Sequence, residues 1–434
     1  MLNAILAAAL HPTSATLTVQ GTGDLPSAFA VTELAVATIG AAGLATADLL
    51  GTHAVQVDRR LASMWFGMSI RPDGWTPPPP WDPIAGDYRT AEGWIRLHTN
   101  APAHRDAALR VLGVPGDREA VADSVAGWAG DALEDAVVAA GGCAAVMRTA
   151  DEWAASPAGS SVLAEPLIDW DVSGAAPLDL ALRPTRPLVG LRVLDLTRVL
   201  AGPVATRFLA LLGADVLRID PPWWDEPGVV PEVMLGKRTA RLDLTTDSLV
   251  DLLTRTDVLV HGYRPGALDR LGLGADVRRQ LSPGLVDITL DAYGWTGPWR
   301  GRRGFDSLVQ MSTGIAEAGM RHFGRDVPTP LPVQALDHGT GYLLAFAALQ
   351  GVARRLATGE GTAARLSLAR TAALLTGPPA VGSLDPERPD DVVTDVEHTS
   401  WGPARRLVPP LSVEGVRLAA DLPARALGSD RPAW

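Results

Sequence analysis

One cysteine, Cys143, occurs in 434 residues. A single thiol excludes an intrachain disulfide framework and any multi-cysteine zinc or iron–sulfur site, and it fits a reduced, cytoplasmic setting. Lysine is as scarce, with Lys237 alone beside 37 arginines. Thirty-eight basic against 49 acidic residues leave a net charge of −11, which argues against wholesale binding to nucleic acid or an anionic membrane. No apolar run is expected to reach the roughly 20 residues that a membrane helix needs. The opening MLNAILAAAL has no basic flank and reads as neither signal peptide nor anchor. No Walker A sequence, H-E-x-x-H or G-x-S-x-G occurs, and no metal site is expected.

Proline and glycine punctuate what remains. Residues 1–70 carry apolar helical patterning, as in VTELAVATIGAAGLATADLL. A Pro-rich stretch over 71–85, with a run of four prolines, reads as an extended linker. Residues 86–172 read as a small α+β domain that opens on the hairpin YRTAEGWIRLHTN. A second linker spans 173–190. Over 191–374 short Val/Leu/Ile runs alternate with helical segments: LRVLDLTR, VATRFLALLG, ADVLRID, SLVDLLTRT, DVLVHGY. That alternation implies βαβ units, and so an α/β fold with a doubly wound, Rossmann-like parallel sheet. The tail, 375–434, is Pro-rich and reads as a strap over the surface.

Such a sheet binds its ligand at the carboxyl ends of the strands. The first strand ends in TRVLAGPVAT, where a dinucleotide fingerprint would need G-x-G-x-x-G. Only Gly202 is present, so a nicotinamide enzyme is disfavoured. Between 261 and 303 seven arginines (264, 270, 278, 279, 300, 302, 303) face four aspartates, with Tyr263 beside Arg264. Guanidinium forks suit phosphates and an aromatic ring suits a base, so an anionic, nucleotide-bearing ligand fits; a salt-bridged surface fits the same spacing.

The segments VLDLTRVLAGPVATRFLALLGADVLRID, GKRTARLDL, DVLVHGYRPGALDRLGLG and YGWTGPWRGRRGFDSLVQMSTGI resemble, in that order, the family III CoA-transferases and the related α-methylacyl-CoA racemases. The resemblance covers about 190–372. It implies an acyl-CoA transferase that moves CoA between small carboxylic acids, with acyl-CoA as substrate and a homodimer as the usual assembly. It assigns Arg198, Val199, Leu200 and Ala201 to the CoA-lining loop, and Lys237 and Arg238 to a motif near the CoA phosphates. Tyr263 falls near adenine, Arg270 near CoA, and Arg303 where a phosphate-binding lysine is found. The catalytic aspartate is Asp337, in Asp337-His338-Gly339-Thr340-Gly341, with His338 a bystander.

A carboxylate attacking a thioester gives a mixed anhydride, then an aspartyl-CoA thioester. A helix N-terminus would favour the anion, and Gly339 and Gly341 would offer amides to the oxyanions. Asp as a plain N-cap fits the same position. The racemases carry a histidine before the aspartate of a G-H-D motif, whereas this chain reads Gly304-Phe305-Asp306, which disfavours two-base racemisation. No glycine-rich flap is evident. A CoA-ester isomerase and a non-catalytic CoA-binding relative remain the alternatives. Segments 32–62, 88–100 and 139–157 resemble parts that normally follow the catalytic aspartate, a weaker resemblance over 30–165, so the chain reads as a back half fused ahead of a front half.

Overall fold

The computed structural model describes residues 1–375, 377 and 382–434. Its centre is a seven-stranded sheet: β1 (Asp169–Ala175), β2 (Arg192–Leu196), β3 (Asp215–Asp220), β4 (Arg238–Arg241), β5 (Val258–His261), β6 (Val286–Asp291) and β7 (Glu360–Ser367). The spatial order is β4-β3-β2-β5-β6-β7-β1. Strands β2 to β7 run parallel and β1 pairs antiparallel on the edge beside β7. Strand order reverses between β2 and β5, the switch point of a doubly wound sheet. Their register pairs Leu196 with His261, so both chains leave the sheet at one level and open a crevice there.

Four helices position the site: α1 (Val31–Leu50), α2 (Ala201–Leu211), α3 (Asp306–Ser312) and α4 (Ala335–Thr358). Helix α4 lies buried between α1 and α2. Its glycines permit that: a Cβ on Gly339 would meet Leu34 at 3.2 Å, and one on Gly341 would meet the Ala201 carbonyl at 2.6 Å. Helix α1 corrects the expectation about apolar runs. It is 20 residues long and apolar enough to cross a membrane by length and composition, and 83% of its most apolar window is buried inside this fold. A helix apolar on all sides belongs in a core or a bilayer, and this one is in the core.

Residues 84–146 form a three-stranded antiparallel sheet (Gly86–Arg89, Trp94–Leu97, Ala144–Val146) covered by helices, whereas Trp153, Ala158 and Val162 belong to the main core, so the small domain ends earlier than the expected 172. The intervals read as linker and strap contain paired strands. Residues 173–175 complete β1, so the second linker starts later than expected. In the tail, Gly402–Arg406 pairs with Ile70–Pro72, and Leu411–Val413 pairs with Ala54–Asp58. Residues 376 and 378–381 of that strap lie outside the described residues. One buried carboxylate joins three parts of the chain: Glu232 accepts from Ser69 and Ile70 of the N-terminal segment, from Arg207 of α2 and from Arg406 of the tail. Burial opposes its ionisation, but the two guanidinium groups and Ser69 outweigh burial and hold it down at about 2.

Candidate active site

The loop after β2 is built on a buried aspartate. Asp195 accepts from the Thr197 amide at 2.9 Å and from the hydroxyls of Thr197 and Thr206, both at 2.5 Å. Lys237 Nζ donates to Asp195 at 3.1 Å and to the Pro203 carbonyl at 2.8 Å. This corrects the reading of the sole lysine as a phosphate ligand: Lys237 is fully buried and serves as an internal brace. Burial lowers its pKa to about 8, against the pull of Asp195. Gly202 is equally confined, since a Cβ there would lie 2.3 Å from the Thr197 side chain. Beyond this anchor Val199 sits at φ 64, the one non-glycine residue with positive φ among those described. A β-branched residue there is strained, and the Glu226 carboxylate holds its amide at 2.8 Å.

At the switch point a cleft of about 450 Å³ opens, lined by Arg198, Val199, Ala201, Tyr263, Arg303 and Asp337 among others. Six of the ten residues expected at the site therefore converge on it, from positions up to 139 apart in sequence. Leu200 lines an adjoining cavity instead. Arg238 is outside the cleft, bonded to Asp215 and to the Ala433 carbonyl, which corrects its placement beside phosphate. Arg270 is exposed and does not line the cleft, but its charge acts on Arg264, which does. Arg198 stacks between Trp224 and Tyr263, with its guanidinium carbon 4.9 and 5.6 Å from the ring centroids, so one face of Tyr263 is taken.

The seven arginines divide. The side chains of Arg278 and Arg302, each 8% exposed, pair inside the protein with Asp287 and Glu134, and only Arg279, paired with Asp171, forms the salt-bridged surface that the spacing also allowed. No salt bridge among the described residues uses Arg264, Arg270, Arg300 or Arg303. Burial and the charges of Arg303 and Arg270 lower the pKa of Arg264, and burial with Arg303 and Arg264 lowers His104 to about 4. Like charges gathered without a counter-ion make an anion site.

Asp337 lies at the third position of α4, at the far wall of this cleft. It does not cap its own helix. The carboxylate of Asp306 does so from α3, accepting the amides of Leu336 at 2.9 Å and Asp337 at 3.0 Å, with its second oxygen on Gln310 at 2.5 Å. Asp337 is thus left without a capping task. The expectation that it is held as an anion is corrected: burial, then the neighbouring Asp306, raise its pKa well above the carboxylate range. Asp306 is itself pushed up by burial, to about 6. Gly339 and Gly341 pack helices and lie beyond the first turn, where the helix uses its own amides, so they do not form the expected oxyanion site.

Sequence reasoning missed the surroundings of Phe305. His98 of the small domain stacks on it at 3.7 Å between centroids, and His104 meets it edge-on at 5.9 Å. Burial pushes His98 down to about 3, so it is a neutral ring and a weak base. His338 stacks on Phe66 and is likewise lowered, by burial first, to about 3. A second cavity of about 520 Å³ meets the cleft at Val199, Phe305 and Asp337. Its outer wall is the proline run 77–80, read from sequence as a mere linker. Only the run's stiffness was a signal for this.

The profile of CoA-transferase family III matches residues 188–406. The chain belongs to this family. Among relatives of the family III chain, a probable fatty acyl-CoA transferase, Rv3272, of Mycobacterium tuberculosis is 32% identical over 209 residues, 43% of this chain and 51% of that protein. Succinyl-CoA:glutarate CoA-transferase of Mus musculus is 32% identical over 193 residues, 41% of this chain and 44% of that protein. Formyl-CoA:oxalate CoA-transferase of Streptomyces avermitilis is 33% identical over 194 residues, 41% of this chain and 46% of that protein. A crystal structure of Rv3272 has 32% identity and a TM-score of 0.41, covering 44% of this chain and 56% of that one. The family III chain spans about half the length of the curated relatives it matches.

Proposed function

We propose that the protein transfers CoA between carboxylic acids, with Asp337 as nucleophile and acyl-CoA bound across the arginine-lined cleft. One observation carries this reading: among the described residues nothing donates to the Asp337 side chain, and that carboxylate stands where an anion-binding cleft meets an apolar cavity. Arg264 and Arg303 are the candidates for the CoA phosphates, and Tyr263 and Arg198 for its nucleotide end.

In the proposed cycle an Asp337 oxygen attacks the thioester carbonyl and the CoA thiolate leaves, giving a mixed anhydride. The thiolate attacks the Asp337 carbonyl carbon and releases the donor acid, leaving an aspartyl-CoA thioester. The acceptor carboxylate attacks that carbonyl and expels the thiolate again. Attack of the thiolate on the acceptor acyl carbon then yields the new acyl-CoA and restores the carboxylate. A raised pKa makes Asp337 a stronger nucleophile once ionised, and the cationic cleft supplies charge that offsets the anion.

Acyl-CoA, then hydroxylamine, then mass spectrometry of the Asp337 peptide tests the reading. Hydroxylamine converts an activated aspartyl group to a hydroxamate. A modified Asp337 is the expected result, and an unmodified peptide with every donor defeats the proposal.

A further inference from the structure

The second cavity has a chemical character that the cleft lacks. Its lining includes Phe66, Met68, Pro79, Trp81, Leu200 and Val333. No arginine or lysine lines it among the described residues; its charged members are Glu232, Asp306 and Asp337. Glu232 is fully committed, to Ser69, Ile70, Arg207 and Arg406, so the cations nearest the cavity are already neutralised. The wall is preformed. Proline fixes its own backbone, Asn100 donates to the Pro80 carbonyl at 2.8 Å, and Gly228 lets that wall close in, since a Cβ there would meet Pro80 Cα at 2.6 Å.

We infer that this cavity is the acyl site and that the enzyme's donor and acceptor acids are apolar monocarboxylates of several carbons, not dicarboxylates. The inference rests on the reading of Asp337 as the acylated residue. A chain that enters past Asp337 is dehydrated against Phe66, Trp81 and the prolines. A second carboxylate at its far end would lose its water and find no free cation, with the Asp306 carboxyl in the same lining. Donor and acceptor visit the same aspartate in turn, so one cavity selects both. A formyl or acetyl group would leave most of about 520 Å³ unfilled.

Acetyl-, butyryl-, hexanoyl-, octanoyl- and succinyl-CoA, each incubated with the full chain and followed by the hydroxylamine label at Asp337, test this directly. Labelling should rise about three- to fourfold for each added methylene until the cavity is full, corresponding to ~0.8 kcal/mol per buried CH₂. Succinyl-CoA should fall below butyryl-CoA, its match in chain length. Val333→Phe and the more exposed Met68→Trp, which narrow the cavity away from the arginines, should move the optimum to shorter chains. Succinyl-CoA equal to or better than butyryl-CoA overturns the inference and leaves the transferase reading standing. If no donor labels Asp337, the transferase reading falls, and calorimetry with hexanoate and succinate decides the cavity alone. Hexanoate binding that Met68→Trp abolishes supports the assignment; no hexanoate binding, or equal binding of succinate, overturns it.

Discussion

The carboxylate of Asp306 accepts the backbone N–H of Asp337 at 3.0 Å, so one acid caps the helix that presents the other. This places two buried carboxyl groups close enough for Asp306 to oppose the ionisation of Asp337. The capping task falls to Asp306, and Asp337 keeps both oxygens for the cavities.

Asp306→Asn should extend activity to lower pH. Removing the neighbouring negative charge lowers the pKa of Asp337, so its reactive anion survives further into acid. The amide oxygen can still accept the Leu336 and Asp337 amides, and the fold should persist. The acidic limb of kcat/KM against pH reads the shift; an unmoved limb would separate the two carboxyls.

Asp337→Asn should abolish transfer and raise stability. A carboxyl whose folded pKa lies above its unfolded value destabilises the fold as pH rises through the unfolded pKa, and the cost levels off above the folded one. The variant should therefore melt above the parent at about pH 8 and match it near pH 4, close to the unfolded carboxyl pKa. Thermal scans at both values check the sign.

Lys237→Ala should unfold the protein before it affects ligand affinity. The change strands the Asp195 charge in the core, a loss of about 3–5 kcal/mol when one partner of a buried pair is removed. Denaturant unfolding measures it. A stable variant with weakened CoA binding would return Lys237 to the phosphates.

Arg264→Ala and Arg303→Ala should each weaken CoA binding by about 1.5–3 kcal/mol, the range for hydrogen bonds to charged groups. Without ligand, either change relieves repulsion, so the melting temperature of the free protein should hold or rise. Calorimetry and thermal scans together distinguish an anion site from structural arginines.

The strand–helix alternation from 191 onward was readable because buried parallel strands leave continuous Val/Leu/Ile runs. The resemblance to family III named Arg198, Tyr263 and Asp337, and the parallel crossovers, which return every strand end to one edge, bring all three to one cleft. Lys237 and Arg238 were misplaced because a motif names residue types without fixing side-chain direction. Here Lys237 precedes β4 and is buried on Asp195, whereas Arg238 opens the strand and bonds Asp215 and the Ala433 carbonyl.

Residue types and their periodicity thus determined the fold class and the sheet edge at which the cleft opens, and the order of the family's motifs named the residues that line it. Tertiary structure alone decided which charges stay free, that Asp306 rather than Asp337 caps α4, and that Pro77 to Pro80 wall a cavity. The reason is physical. Periodicity is local and survives in one dimension, whereas ion pairing, dehydration and cavity walls depend on which distant side chains reach the same few ångströms.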